Sequence, residues 1–140
     1  MDVRPLIAKD AAALDVWFIA QGRRDLAGAA FLADDRVLAV GAFVHGDLVG
    51  AAWGHVLARP DGGPMGLLYD LEVEDLHRRK GLGAALVAEF RRLAEQAGCA
   101  TFWLITEDAN PSAQALYESC GGTPERQRTI FHWDLSDTER

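Results

Sequence analysis

The stretch from Leu68 to Gly98 limits the fold more than any other part of the chain. Leu68-Tyr69-Asp70-Leu71-Glu72-Val73 reads as a strand and leads through a polar turn into the basic run Arg78-Arg79-Lys80. A glycine-containing helix start follows, with Gly81 and Gly83 on either side of Leu82. From Gly81 to Ala97 the apolar residues Leu82, Leu86, Phe90, Leu93 and Ala97 recur at helical spacing, and Val87 and Ala94 widen the stripe. Gly98 stands where a C-terminal glycine cap belongs. At such a junction the glycines let backbone N–H groups approach an anion closely, and the helix start adds free donors and a positive dipole end. With Arg78, Arg79 and Lys80 alongside, the junction reads as a pyrophosphate site, although a plain loop glycine pair before a helix has the same form. A Rossmann site fits less well, because the third glycine is missing and the preceding chain is hairpin-like. A Walker loop fits worse, since no Gly-Lys-Ser/Thr follows.

The flanking elements place this junction in a mixed α/β chain. Val3 to Ala8 reads as a first strand, followed by short helices over Ala11–Ala20 and Leu26–Ala33, separated by the charged step Gln21-Gly22-Arg23-Arg24. Arg36–His45 and Leu48–Ala58 are β-like runs joined at a tight Gly46-Asp47 turn. The loop Arg59–Pro64 is rich in turn formers, and Gly66–Val73 is the strand that enters the glycine junction. Ala100–Thr106 reads as a short buried strand. Asn110-Pro111 is a helix cap with proline at the first helical position; this helix runs to about Cys120, before Gly121-Gly122. Arg128–Leu135 is expected to be a final strand.

Composition narrows the partners. At 140 residues, with 49% apolar and 25% charged residues, the chain suits one compact domain over residues 1–140, ordered nearly end to end. Apolar runs such as Val37–Val44 fall far short of the ~20 residues that span a bilayer. No basic-then-apolar leader opens the sequence, so the cytoplasm and no membrane partner are expected. The net charge of −7 argues against a nucleic-acid partner and would suit a small cationic substrate. Cys99 and Cys120 lack metal-ligand spacing and read as small core hydrophobes; no metal site is expected.

Arg78-x-x-Gly81-x-Gly83 resembles the acetyl-CoA pyrophosphate signature of the GCN5-related N-acetyltransferase (GNAT) superfamily, placed as in that family between the fourth strand and the third helix. Asn110-Pro111-Ser112-Ala113-Gln114-Ala115-Leu116-Tyr117, running on to Gly121, looks like the family's second signature helix, with phenylalanine absent after the last glycine pair. A narrower resemblance covers nearly the whole chain. Tyr69-Asp70-Leu71-Glu72-Val73, His77-Arg78-Arg79 and His132-Trp133-Asp134-Leu135 are similar to the type I aminoglycoside 3-N-acetyltransferases.

The resemblance implies the GNAT fold: a central mixed, mostly antiparallel sheet of six to seven strands, flanked by about four helices. It also implies acetyl-CoA as cosubstrate, held by the backbone and side chains of Arg78, Arg79, Lys80, Gly81, Leu82, Gly83 and Ala84. Leu71 would touch pantetheine, the Val73 N–H would donate to the thioester carbonyl, and Asn110 would add a CoA contact besides capping its helix.

Acetyl transfer to an amine needs a deprotonated nucleophile, a polarised carbonyl and a protonated leaving sulfur. Asp70 and Glu72 share one face of their strand, opposite Leu71 and Val73, and are candidates to bind an ammonium group and take its proton. Asp70 also reads as substrate-binding. The Tyr117 phenol, ordinarily of pKa ~10, would be protonated and available as the acid, the role the resemblance implies, and it also reads as a core tyrosine beside Leu116. Glu107, Asp108 and Asp134 are candidate acceptor contacts, each also readable as a solvated charge. His132 reads first as structural, and Trp17, Trp53, Trp103 and Trp133 as core or acceptor wall. The resulting expectation is direct transfer in a ternary complex to the 3-amino group of an aminoglycoside. The alternatives are another small amine, a peptide N-terminus, or a non-catalytic acyl-CoA sensor. A homodimer is plausible for the family.

Overall fold

Val37–Val44 is apolar at every position, without the alternation of a half-solvated strand, because both of its faces are covered. The computed structural model describes residues 1–136, so the last four residues of the expected 1–140 domain lie outside it. Its elements run β1 (Asp2–Pro5), a 3₁₀ turn at Ala8–Asp10, α1 (Ala11–Ile19), α2 (Gly28–Ala33), β2 (Val37–Val44), β3 (Asp47–Leu57) and β4 (Met65–Val73). A second 3₁₀ turn at Asp75–His77, α3 (Leu82–Gln96), β5 (Phe102–Trp103) and α4 (Pro111–Ser119) complete it. The strands form one sheet in the order β1-β2-β3-β4-β5, antiparallel except for the parallel pair β4-β5 that α3 connects.

Two apolar clusters hold the layers together. On one face Leu38, Val40, Ala42, Ala52 and Leu68 pack against Leu82, Leu86 and Phe90 of α3. Phe90 and Leu86 are fully buried, and burying side chains of this size contributes roughly 2–3 kcal/mol each. On the other face Ala39, Phe43 and Ala51 meet Leu14 and Trp17 of α1. The start of α1 is clamped by an ion pair: Arg4 Nη1 and Nη2 each donate to an Asp10 carboxylate oxygen at 2.9 Å, and the Ile7 N–H donates to the same group at 2.8 Å. The Arg4 guanidinium lies 4.2 Å from the centre of the Phe43 ring.

The register of β3 and β4 bears on function. Trp53 pairs with Asp70 and Gly54 with Leu68, which leaves Tyr69 as an extra residue in a β-bulge. A Cβ on Gly54 would sit 1.7 Å from the Leu67 carbonyl oxygen, so only glycine fits opposite the bulge.

Three expectations are corrected. The β2–β3 turn falls on His45 and Gly46, both at positive φ (51° and 83°), with Val44 paired to Asp47, one residue earlier than Gly46-Asp47. The strand expected over Ala100–Thr106 contracts to Phe102–Trp103, because β4 and β5 part beyond Leu67 and Trp103. Arg128–Leu135 forms no strand; it runs exposed without a ladder partner, so among the described residues the sheet has five strands instead of six or seven. No helix of the described residues is long and apolar enough to cross a membrane.

Candidate active site

Where β4 and β5 part, they leave a cleft of about 170 Å³ whose lining includes Asp70, Leu71, Glu72, Leu104, Asn110 and Tyr117. The parting follows from local structure: the ladder ends at Leu67–Trp103, and the bulge at Tyr69 redirects β4 just beyond it. Helix α4 closes the far side. It is fixed at its start by Asn110, whose Oδ1 accepts the Ala113 N–H at 3.1 Å, with Pro111 in the first turn. The expected capping role of Asn110 is thus present, and the residue also lines the cleft.

The cleft gathers the three expected catalytic side chains. Asp70 and Glu72 share the α1 face of β4, paired across from Trp53 and Ala51, while Leu71 and Val73 pack toward α3. Burial pushes the Asp70 carboxyl above its ordinary value, opposed by the Leu71 N–H and by the charge of Arg23. Burial likewise raises the Tyr117 phenol, and the charges of Asp70, Glu72 and Cys120 raise it further. A carboxylate made more basic thus faces a phenol that keeps its proton across the neutral range.

Leading out of this cleft, the turn into α3 offers a row of unused donors. Among the described residues no backbone carbonyl takes the N–H of Arg79, Lys80, Gly81, Leu82, Gly83 or Ala84; the α3 ladder begins with Ala85 donating to Gly81 at 3.1 Å. Gly81 caps α3 with φ +80°, a left-handed conformation that turns these amides outward. These six amides, together with the cleft, fit an extended anionic thioester such as acetyl-CoA. Two residues of the turn have structural contacts as well. Arg78 is tied back: its Nε donates to the Val73 carbonyl at 3.0 Å, and its guanidinium pairs with Glu72 at 3.6 Å and Asp75 at 3.3 Å. Gly83 serves helix packing, since a Cβ there would lie 3.0 Å from Leu116 of α4. Leu82 is buried and can offer only its backbone, whereas Arg79, Lys80 and Ala84 are exposed.

Other candidate residues lie elsewhere. Glu107 and Asp108 are exposed on the turn before α4, where their carbonyls accept Gln114 Nε2 at 3.1 and 3.0 Å; neither lines the cleft. Asp134 is exposed and accepts the Ser136 N–H at 2.9 Å, and His132 is exposed beside it. Trp17 is core, Trp133 is 74% exposed, and Trp103 is partly exposed at the end of β5. Cys99 is buried and Cys120 half-buried, both as free thiols. No group of three or more potential metal ligands occurs among the described residues.

A second, larger cavity of about 420 Å³ lies on the α1 face, lined by residues that include Phe18, Arg23, Arg24, Phe31, Trp53 and His55. Of these only Trp53 was a sequence candidate. Phe31 and Trp53 meet edge-on at 5.3 Å, and Tyr69 stacks on Trp53 at 4.8 Å. Besides Trp53, the sequence marks this cavity through the charged step Gln21–Arg24 between two short helices.

A splayed β4-β5 pair, a donor-rich turn into α3 and a capped α4 carrying a tyrosine together define an acyltransferase scaffold. The chain belongs to the acetyltransferase (GNAT) family, whose model matches residues 8–122. Acetyl-CoA is the cosubstrate of that family. Over 54 residues the chain is 41% identical to a ribosomal protein bS18-alanine N-acetyltransferase of Escherichia coli K12; the match covers 39% of this chain and only 36% of that relative. An aminoglycoside acetyltransferase from an uncultured soil metagenomic sample superposes with a TM-score of 0.83 at 18% identity, covering 96% of this chain and 95% of the other. The aminoglycoside N-acetyltransferase AAC(6')-Iy, in complex with CoA, gives a TM-score of 0.76 at 21% identity, with coverages of 95% and 98%. These two likenesses establish the fold.

Proposed function

We propose that the protein transfers the acetyl group of acetyl-CoA directly to the primary amine of a small acceptor, within a ternary complex. The observation that carries this reading is the meeting of Asp70, Glu72 and Tyr117 in the cleft between β4 and β5. Acetyl-CoA supplies the acyl group as an activated thioester. The amides from Arg79 to Ala84 would hold its pyrophosphate, with Leu71 and Asn110 along the pantetheine path and the Val73 N–H directed at the thioester carbonyl. Asp70 accepts the proton of the incoming ammonium, directly or through one water, and its raised proton affinity suits that task. Glu72 adds negative charge beside it while pairing with Arg78. Tyr117 holds its proton at Oη for a leaving sulfur.

The test is steady-state release of CoA with a panel of amines. Tyr117→Phe is expected to lower kcat by about 10²–10⁴-fold with acetyl-CoA affinity nearly unchanged. Unchanged kcat would remove the acid from the mechanism, and acetyl-CoA binding with no transfer to any amine would favour an acyl-CoA sensor.

An aminoglycoside acceptor is the second reading, favoured by the acidic net charge and by the structural likenesses. The 3-amino position draws no support from AAC(6')-Iy, whose name carries the 6' designation. Glu107, Asp108 and Asp134, expected to hold a polycation, stand away from both cavities. We read a homodimer from the C-terminal segment. Ile130, Phe131, Trp133 and Leu135 are 64–82% exposed, and β5 ends the sheet with an open edge. Two copies related by a twofold axis would each cover the other's segment and edge.

A further inference from the structure

The acidic surplus of the chain is not found where an acceptor would sit. The cavity of about 420 Å³ under the α1–α2 connection has an apolar and aromatic floor of Leu14, Phe18, Phe31 and Trp53. Arg23 and Arg24 line it from the connecting segment, and both side chains are exposed. Among the described residues neither takes part in an ion pair. The other titratable groups in the wall are Asp15, Asp25 and His55. Asp15 is committed to structure, accepting the Gly28 N–H at 3.0 Å and so fixing the start of α2. The wall thus sets two carboxylates against two guanidinium groups and offers no acidic surplus to a polycation.

The cavity lies on the sheet face that carries Asp70. Trp53 in its wall is the cross-strand partner of Asp70, so both side chains lie on the same sheet face, and Tyr69, the neighbour of Asp70 in the chain, stacks on Trp53. The Arg23 charge reaches the Asp70 carboxyl through space. One molecule can therefore rest on the aromatic floor, with its amine toward Asp70 and an anionic group toward Arg23.

The geometry points to an acceptor of the amino-acid class: a primary amine with an apolar, preferably aromatic, body and a carboxylate, the body on Phe18, Phe31 and Trp53 and the carboxylate against Arg23. This assignment rests on the acetyl-transfer reading for its amine end, but the cavity can be tested without turnover.

The experiment uses the full chain with phenylalanine, phenylalaninamide and kanamycin, measuring CoA release, and in parallel phenylalanine binding by quenching of tryptophan fluorescence. Phenylalanine is expected to exceed phenylalaninamide in kcat/KM by about tenfold, mainly through KM, with kanamycin below both. In Arg23→Gln that ratio should collapse toward one. Kanamycin or the amide matching phenylalanine, or an unchanged ratio in Arg23→Gln, would overturn the assignment while leaving acetyl transfer intact. If no amine is acetylated, the transfer reading fails and binding decides the cavity alone. Saturable phenylalanine binding, weakened about tenfold by Arg23→Gln, supports the assignment, and its absence overturns it.

Discussion

Asp70 is where the cost of function is most visible, because a half-buried carboxylate is disfavoured by the fold that encloses it. Its proton affinity is raised in the folded chain above the ordinary value, chiefly by burial. The charged form is therefore a penalty on stability at neutral pH. The penalty fades as pH falls through the raised folded value, and it is gone below the unfolded value of 3.8. Asp70→Asn removes that charge with little change of shape. The variant is expected to melt at or above the parent temperature at pH 7, with the gap closing toward pH 4, while kcat/KM falls by about 10²–10⁴-fold. Thermal melts at several pH values and CoA-release kinetics on one preparation measure both sides. A variant that melts clearly lower at pH 7 would mean the carboxylate is stabilised by its surroundings, which would count against its role as a base. In the parent, kcat/KM should rise with pH as Asp70 ionises, and the raised phenol of Tyr117 keeps any alkaline fall above the usual phenolic range.

The sequence was legible where an element's own pattern determines it and illegible where partners do. The amphipathic stripe of α3 and the Asn110-Pro111 start of α4 follow from local chemistry, and both elements form where expected. Asp70 and Glu72 could be placed on one face because strand alternation is local, yet the bulge that sets Tyr69 beside Asp70 depends on Gly54 of another strand. Arg78 reads as part of the pyrophosphate cluster because the turn that brings its guanidinium back to Val73 and Asp75 follows a path the residues alone do not reveal. The Arg4–Asp10 clamp likewise depends on a fold that the residues alone do not reveal, and it carries a clear prediction. Arg4 holds the Asp10 carboxyl below its ordinary value, so the pair stabilises the fold above the unfolded value of 3.8 and loses that contribution as pH falls through the lowered folded value. Asp10→Ala leaves a guanidinium against Phe43 without its carboxylate and frees the Ile7 N–H. It should cost roughly 2–4 kcal/mol in denaturant unfolding at pH 7, with a smaller cost at pH 3. An effect below about 0.5 kcal/mol at pH 7 would show that α1 is held by Leu14 and Trp17 alone.

For the whole molecule, the open question is what covers the C-terminal segment. Isolated exposed apolar residues are ordinary on protein surfaces, but four on one unladdered segment form an unusual concentration. The segment alternates apolar and polar from Phe131 to Leu135, the pattern of a strand with one covered face, yet none of the described residues of its own chain pairs with it. A second copy supplies both missing parts at once, since each chain carries the segment and the open β5 edge. The parent protein should therefore sediment as a dimer at micromolar concentration, with a melting temperature that rises with protein concentration. Phe131→Asp combined with Trp133→Asp places like charges in the proposed contact without touching Asp70, Tyr117 or the α3 turn. That variant should sediment as a monomer and lose the concentration dependence. A parent protein that stays monomeric across the micromolar range would overturn the dimer, leaving the cleft chemistry to be judged from a single chain.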